Sequence, residues 1–154
     1  MKKLIILPLL FVACMSQAQH NNALGLRGGL SNGITFQHYF KKSTAVELIL
    51  ANRWRGYNFC ALLEKHLPLD GASGLGWYYG AGVHVGQWRG YEKHPWFKDD
   101  ATYNVGGVDL ILGLEYTFKE APINLSLDYK PAFNFYGYNG FWGDEGAFSI
   151  RFLF

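Results

Sequence analysis

Seven residues at the end of the chain restrict its fold more than any others. In Phe148-Ser149-Ile150-Arg151-Phe152-Leu153-Phe154, four bulky apolar side chains stand at every second position, and Ser149 and Arg151 lie between them. Successive side chains on a strand point to opposite faces, so the spacing predicts one continuous apolar stripe backed by a polar one. A helix would scatter both sets round its axis. An apolar outer face over a polar inner one is the pattern of a strand that crosses a membrane in a closed barrel.

The same alternation recurs upstream, and no stretch shows an apolar repeat at helical spacing. Leu24, Leu26 and Leu30 alternate with Gly25, Arg27 and Gly29; Ser31-Asn32-Gly33 then turns the chain into a second run, Ile34 to Phe40, as an Asn-Gly hairpin. A third run, Thr44 to Arg53, sets Val46, Leu48 and Leu50 against Glu47. The fourth, Tyr57 to Leu67, sets Phe59, Ala61 and Leu63 against Cys60, Leu62 and Glu64, and Pro68 to Gly74 forms a loop. In the fifth, Leu75 to Trp88, large residues alternate with small ones. Polar and aromatic residues around Pro95 mark Arg89 to Tyr103 as the longest loop.

The sixth run, Asn104 to Phe118, carries Val108, Leu110, Leu112 and Leu114 on one face with Asp109, Gly113 and Glu115 behind. After Lys119-Glu120-Ala121-Pro122 the seventh sets Ile123, Leu125, Leu127 and Tyr129 against Asn124, Ser126, Asp128 and Lys130, and a Gly- and aromatic-rich loop, Tyr136 to Glu145, leads to the eighth. The expected fold is all-β: an eight-stranded antiparallel up-and-down transmembrane barrel with both ends on one side.

The N-terminus agrees on compartment. Lys2 and Lys3 precede an apolar run, Leu4 to Val12, and Ser16-Gln17-Ala18 has small residues where a signal peptidase reads. Residues 1–18 are expected to be a signal peptide and residues 19–154 the barrel domain, with Gln19 first. Phe11-Val12-Ala13-Cys14 offers an alternative in which Cys14 is lipidated. Cleavage after Ala18 leaves 136 of the 154 residues, with Lys plus Arg and Asp plus Glu equal at 12 each. A balanced chain carries no nucleic-acid footprint, which needs clustered cationic excess. Cys60 then stands alone, so no internal disulfide supports the fold.

The signal peptide, the eight alternating runs and the terminal Phe154 resemble the small outer-membrane β-barrel proteins of Gram-negative bacteria, the OmpA/OmpX-like group, in a compact form similar to members from Bacteroidota. The resemblance is one of pattern over the mature chain and brings no catalytic motif. It implies that outer-membrane lipid surrounds the protein. It also implies that the closing strand, with Phe148, Ile150, Phe152 and Phe154, is read by the barrel-assembly machinery.

If apolar residues face lipid, Arg27, Glu47, Glu64, Glu115, Asp128 and Arg151 face inward, about three to five residues from the inner strand ends. Two arginines would sit among four carboxylates, tied by bidentate bonds, because an unpaired buried charge costs several kcal/mol. Such a layer is expected to fill the barrel structurally, since eight strands leave an interior just wide enough for side chains. His84, also inward, would have Asp109 or Glu115 as partner for general-base chemistry. No nucleophile pairs with it and Ser126 is a small inward residue, so the chain is expected not to be an enzyme. A lipid-modifying barrel enzyme and a secreted lipocalin-like binder of apolar ligands are the alternatives; the second reverses the faces.

The loop aromatics Tyr91, Trp96, Phe97, Tyr136, Tyr138, Phe141 and Trp142 are expected mostly to form an interfacial belt. His94, Asp99, Asp144 and Glu145 hold atoms for a divalent cation, but without fixed spacing the sequence predicts neither metal nor cofactor.

Overall fold

The computed structural model describes residues 21–154. The signal peptide, its cleavage after Ala18 and the Cys14 alternative lie outside the described residues. Ten strands follow one another: β1 (Asn22–Gly29), β2 (Asn32–Lys41), β3 (Thr44–Arg53), β4 (Gly56–Pro68), β5 (Leu75–Arg89), β6 (Thr102–Thr117), β7 (Ile123–Tyr129), β8 (Ala132–Tyr136), β9 (Gly140–Trp142) and β10 (Gly146–Leu153). From β1 to β6 each strand pairs antiparallel with the next; β6 pairs with both β7 and β8, and β10 pairs with β7 and β1, which closes the sheet. Because β7 and β8 lie end to end, as do β9 and β10, the wall contains eight strands.

The breaks in the last two wall strands adjoin. Tyr129 faces Gly146 and Ala132 faces Trp142, so Lys130-Pro131 opposes Gly143-Asp144-Glu145, one residue more. Pro131 has no N–H to give a ladder, and the Lys130 N–H reaches the Glu145 carbonyl at 2.8 Å instead. A bulge of this kind re-aims side chains. Trp142, Glu145 and Ala147 consequently all turn inward. The expected loop from Tyr136 to Glu145 is therefore corrected: it contains β9, and only Gly137 to Asn139 make the tip.

The faces are unambiguous. Leu110 and Leu127 are each 62% exposed on the outside, while Arg151 and Asp128 are 1% and 5% exposed inside. A soluble apolar-ligand barrel would need the reverse, so the burial contradicts the lipocalin-like alternative. Small inward residues make room for large ones: a Cβ on Gly113 would collide with the Tyr78 ring lying across it.

Trp54-Arg55 alone joins β3 to β4, with φ of 48° and 55°. Two-residue hairpin turns of this hand favour Asn-Gly, and a bulky residue at positive φ needs compensation elsewhere. The compensation is the packing of the Trp54 ring.

Candidate functional site

Along β3, past the buried Ala45 at the end bearing Asn22 and Phe154, the inward side chains are Glu47, Ile49, Ala51 and Arg53. Strand β4 gives His66, Glu64, Leu62, Cys60 and Asn58, and β6 gives Glu115, Gly113, Ile111 and Asp109. The order on all three is charged, apolar, polar, and the interior is built in those zones.

The zone nearest the termini holds the six charges expected from the alternation. Arg27 forks onto Asp128 through two bonds of 2.6 Å, and the Tyr78 hydroxyl donates to the same carboxylate at 3.0 Å. Arg151 donates to Glu47 at 2.5 Å and spends its other donors on Ser126 (2.7 Å), Asn124 and Thr35 (3.3 Å each). Thr35 also bonds Glu47. Glu64 and Glu115 gather on His66, at 3.3 and 2.8 Å, instead of on an arginine. The expected bidentate tie is made once, by Arg27 on Asp128, while Arg151 meets Glu47 through a single bond. His66 was legible by parity, two residues after Glu64 on the same face.

Next comes an apolar cluster of Ile49, Ala51, Cys60, Leu62, Tyr78 and Ile111. Beyond it lies a second charged zone. Asp109 accepts bonds of 2.7 Å from both Lys130 and His84, and the other His84 ring nitrogen is 2.7 Å from the Asn134 amide oxygen. His84 thus meets Asp109, while Glu115 is engaged by His66 in the other zone. With both ring nitrogens occupied, His84 has none free to act as a general base. Glu145, turned in by the bulge, bonds Ser31 and Arg53 (2.9 Å), and Arg53 also holds Asp144 at 2.6 Å.

No protein-family model and no curated protein sequence matches the chain. Among solved structures it is similar to the N-terminal β-barrel domain of Pseudomonas aeruginosa OprF, with a TM-score of 0.66 and 14% identity over 88% of this chain and 98% of that one. The two share a fold. At that identity the OprF likeness carries the architecture alone, and every residue role here rests on this chain's own geometry.

The loop end of this OprF-like barrel is closed by aromatic rings. Trp54 lies 4.7 Å from Trp88, 4.9 Å from Trp142 and 5.0 Å from Trp96, centroid to centroid, and the Arg53 guanidinium stacks 4.1 Å over it. The long loop, Gly90 to Ala101, folds back over the mouth through Gly90 N–H to Ala101 (2.9 Å) and Tyr91 N–H to Phe97 (3.0 Å). Phe97 stacks on Tyr103 at 3.7 Å. The interfacial-belt reading is therefore corrected for Trp96, Phe97, Tyr138 and Trp142, which pack into this cap, though Tyr136 and Phe141 do face outward.

His94 is buried in the cap, where its Nδ1 accepts the backbone N–H groups of Trp96 (3.2 Å) and Phe97 (3.1 Å). An accepting Nδ1 means a neutral ring with its proton on Nε2. Burial, with Lys98 adding to it, lowers the His94 pKa below the ordinary imidazole range. The possible cation cluster is not assembled: Asp99 bonds Tyr103, Asp144 and Glu145 bond Arg53, and His94 is caged by rings. At the opposite end, an opening of about 1320 Å³ is bordered by Tyr39, His66, Glu115, Asn124, Leu153 and the turn around Gly71.

Proposed function

We propose that the protein is an integral outer-membrane barrel with periplasmic termini, performing no catalysis and serving the envelope structurally or through contacts at its loop end. The observation carrying the proposal is the continuous apolar outer wall around a charged interior. Only a closed sheet, with every strand paired, satisfies its backbone in lipid. The apolar zone between two charged clusters supports a wall-forming role over conduction, because hydrated ions would lose their water there. The engaged nitrogens of His84 and the Arg151 bond to Ser126 speak against the lipid-modifying alternative.

Under this proposal residues 1–18 direct export and are removed, and Phe148, Ile150, Phe152 and Phe154 present the closing strand to the barrel-assembly machinery. A pair of lysine substitutions tests the lipid-facing assignment. Ile150 is exposed opposite Leu26 and Leu125 at mid-wall, whereas Leu153 borders the opening at the terminal end. Ile150→Lys is expected to destabilise the barrel in vesicles by about 2–4 kcal/mol and Leu153→Lys by about 1 or less. Equal losses in urea titrations would refute the assignment.

A further inference from the structure

We propose that the barrel encloses a site for a single water molecule between Asn58 and Trp142. Beneath the cap lies a cavity whose space for a water centre is about 10 Å³, bordered by Ser31, Arg53, Asn58, Cys60, Trp142 and Glu145 among others. Two of its lining residues each carry a buried polar atom without a hydrogen-bond partner among the described residues, Asn58 Oδ1 and Trp142 Nε1. Their residues are 6% and 2% exposed, so bulk solvent does not satisfy them. The amide oxygen only accepts and the indole N–H only donates. Both residues line this one cavity.

The walls select the occupant. A space of this size takes one water and nothing larger, and a bound water needs two to four polar partners. A cation would meet Arg53 and Lys130, and an anion would meet the Glu145 carboxylate. A water can donate to Asn58 Oδ1 and accept from Trp142 Nε1, which completes both groups. Because β4 and β9 are not neighbours in the sheet, the water ties the cap to a distant part of the wall across the lumen.

The test uses the full mature chain, labelled with nitrogen-15 and refolded in detergent micelles. The Trp142 indole N–H resonance, assigned by its loss in Trp142→Phe, is expected to show a nuclear Overhauser cross-peak to a long-lived water. In Asn58→Leu, which fills the cavity with a side chain that cannot accept, that cross-peak should vanish while heat-modifiable mobility is retained. Its absence from the wild type, or its persistence unchanged in Asn58→Leu, would overturn the site. If Asn58→Leu does not assemble, a crystal structure of the wild type decides. One density peak within about 3.2 Å of both atoms supports the site, and an empty cavity overturns it.

Discussion

Replacing Arg27 by leucine breaks a fully buried ion pair, the one that forks through two bonds. Both side chains of the Arg27–Asp128 pair are 0% exposed, so solvent screens neither. Without Arg27, Asp128 loses two bonds of 2.6 Å and keeps only the Tyr78 hydroxyl. Stranding one partner of a buried pair costs about 3–5 kcal/mol. Asp128→Leu should cost a similar amount by stranding the guanidinium. The double replacement removes both charges and leaves only the Tyr78 hydroxyl unsatisfied, at about 1–3 kcal/mol. The double variant should therefore be more stable than either single one, a coupling that surface pairs never approach. Urea titrations of refolded protein in vesicles, read by tryptophan fluorescence and by heat-modifiable mobility, measure all four corners of the cycle. A double variant that loses the sum of the single losses would refute the reasoning, as would an Arg27→Leu loss below about 1 kcal/mol.

Four further outcomes follow from the cap and the closing strand. Arg55→Gly relieves a positive φ and forfeits only the stacking of Arg55 on Tyr91 at 4.8 Å, so stability should hold or rise by about 1 kcal/mol. Trp54→Gly relieves the same kind of strain but empties the centre of the ring cluster, so the same titration should show a net loss of about 2 kcal/mol. For His94, the lowered pKa of the closed loop means that the opened loop takes up a proton first. Its contribution is complete above about 6.5, declines as pH falls below that, and is gone below the closed-loop value. Amide hydrogen exchange at Trp96 and Phe97, corrected for intrinsic rates, should lose protection over that interval; constant protection would count against the neutral ring. Deleting Phe154 should lower the yield of assembled barrel in cells while detergent-refolded protein stays nearly as stable, and a normal cellular yield would leave Phe154 no part in recognition.

The strand alternation was legible because one rule, period two, fixes the face of every residue once a strand is located. That rule places Arg27, Glu47, Glu64, Glu115, Asp128 and Arg151 inside, sets Lys130 on the same face as Asp128, and applied further also reaches His66. It failed where the chain breaks the period. The bulge at Gly143 to Glu145 reverses parity, and nothing in the residue types announces that Trp142 and Glu145 turn inward together. The cap is not legible in the sequence for a different reason. Trp96 and Phe97 have the composition of an interfacial belt, and only the folding back of the long loop decides between lipid and lumen. Trp54-Arg55 carries no turn signature either, because ring packing rather than local preference holds its backbone.

The most direct test of the central claim, that lipid covers the apolar wall, is fractionation of cells producing the full chain. The protein should remain with the outer membrane through a carbonate wash and migrate differently on gels before and after boiling. Recovery in the soluble periplasmic fraction, with one mobility regardless of heating, would contradict the membrane barrel.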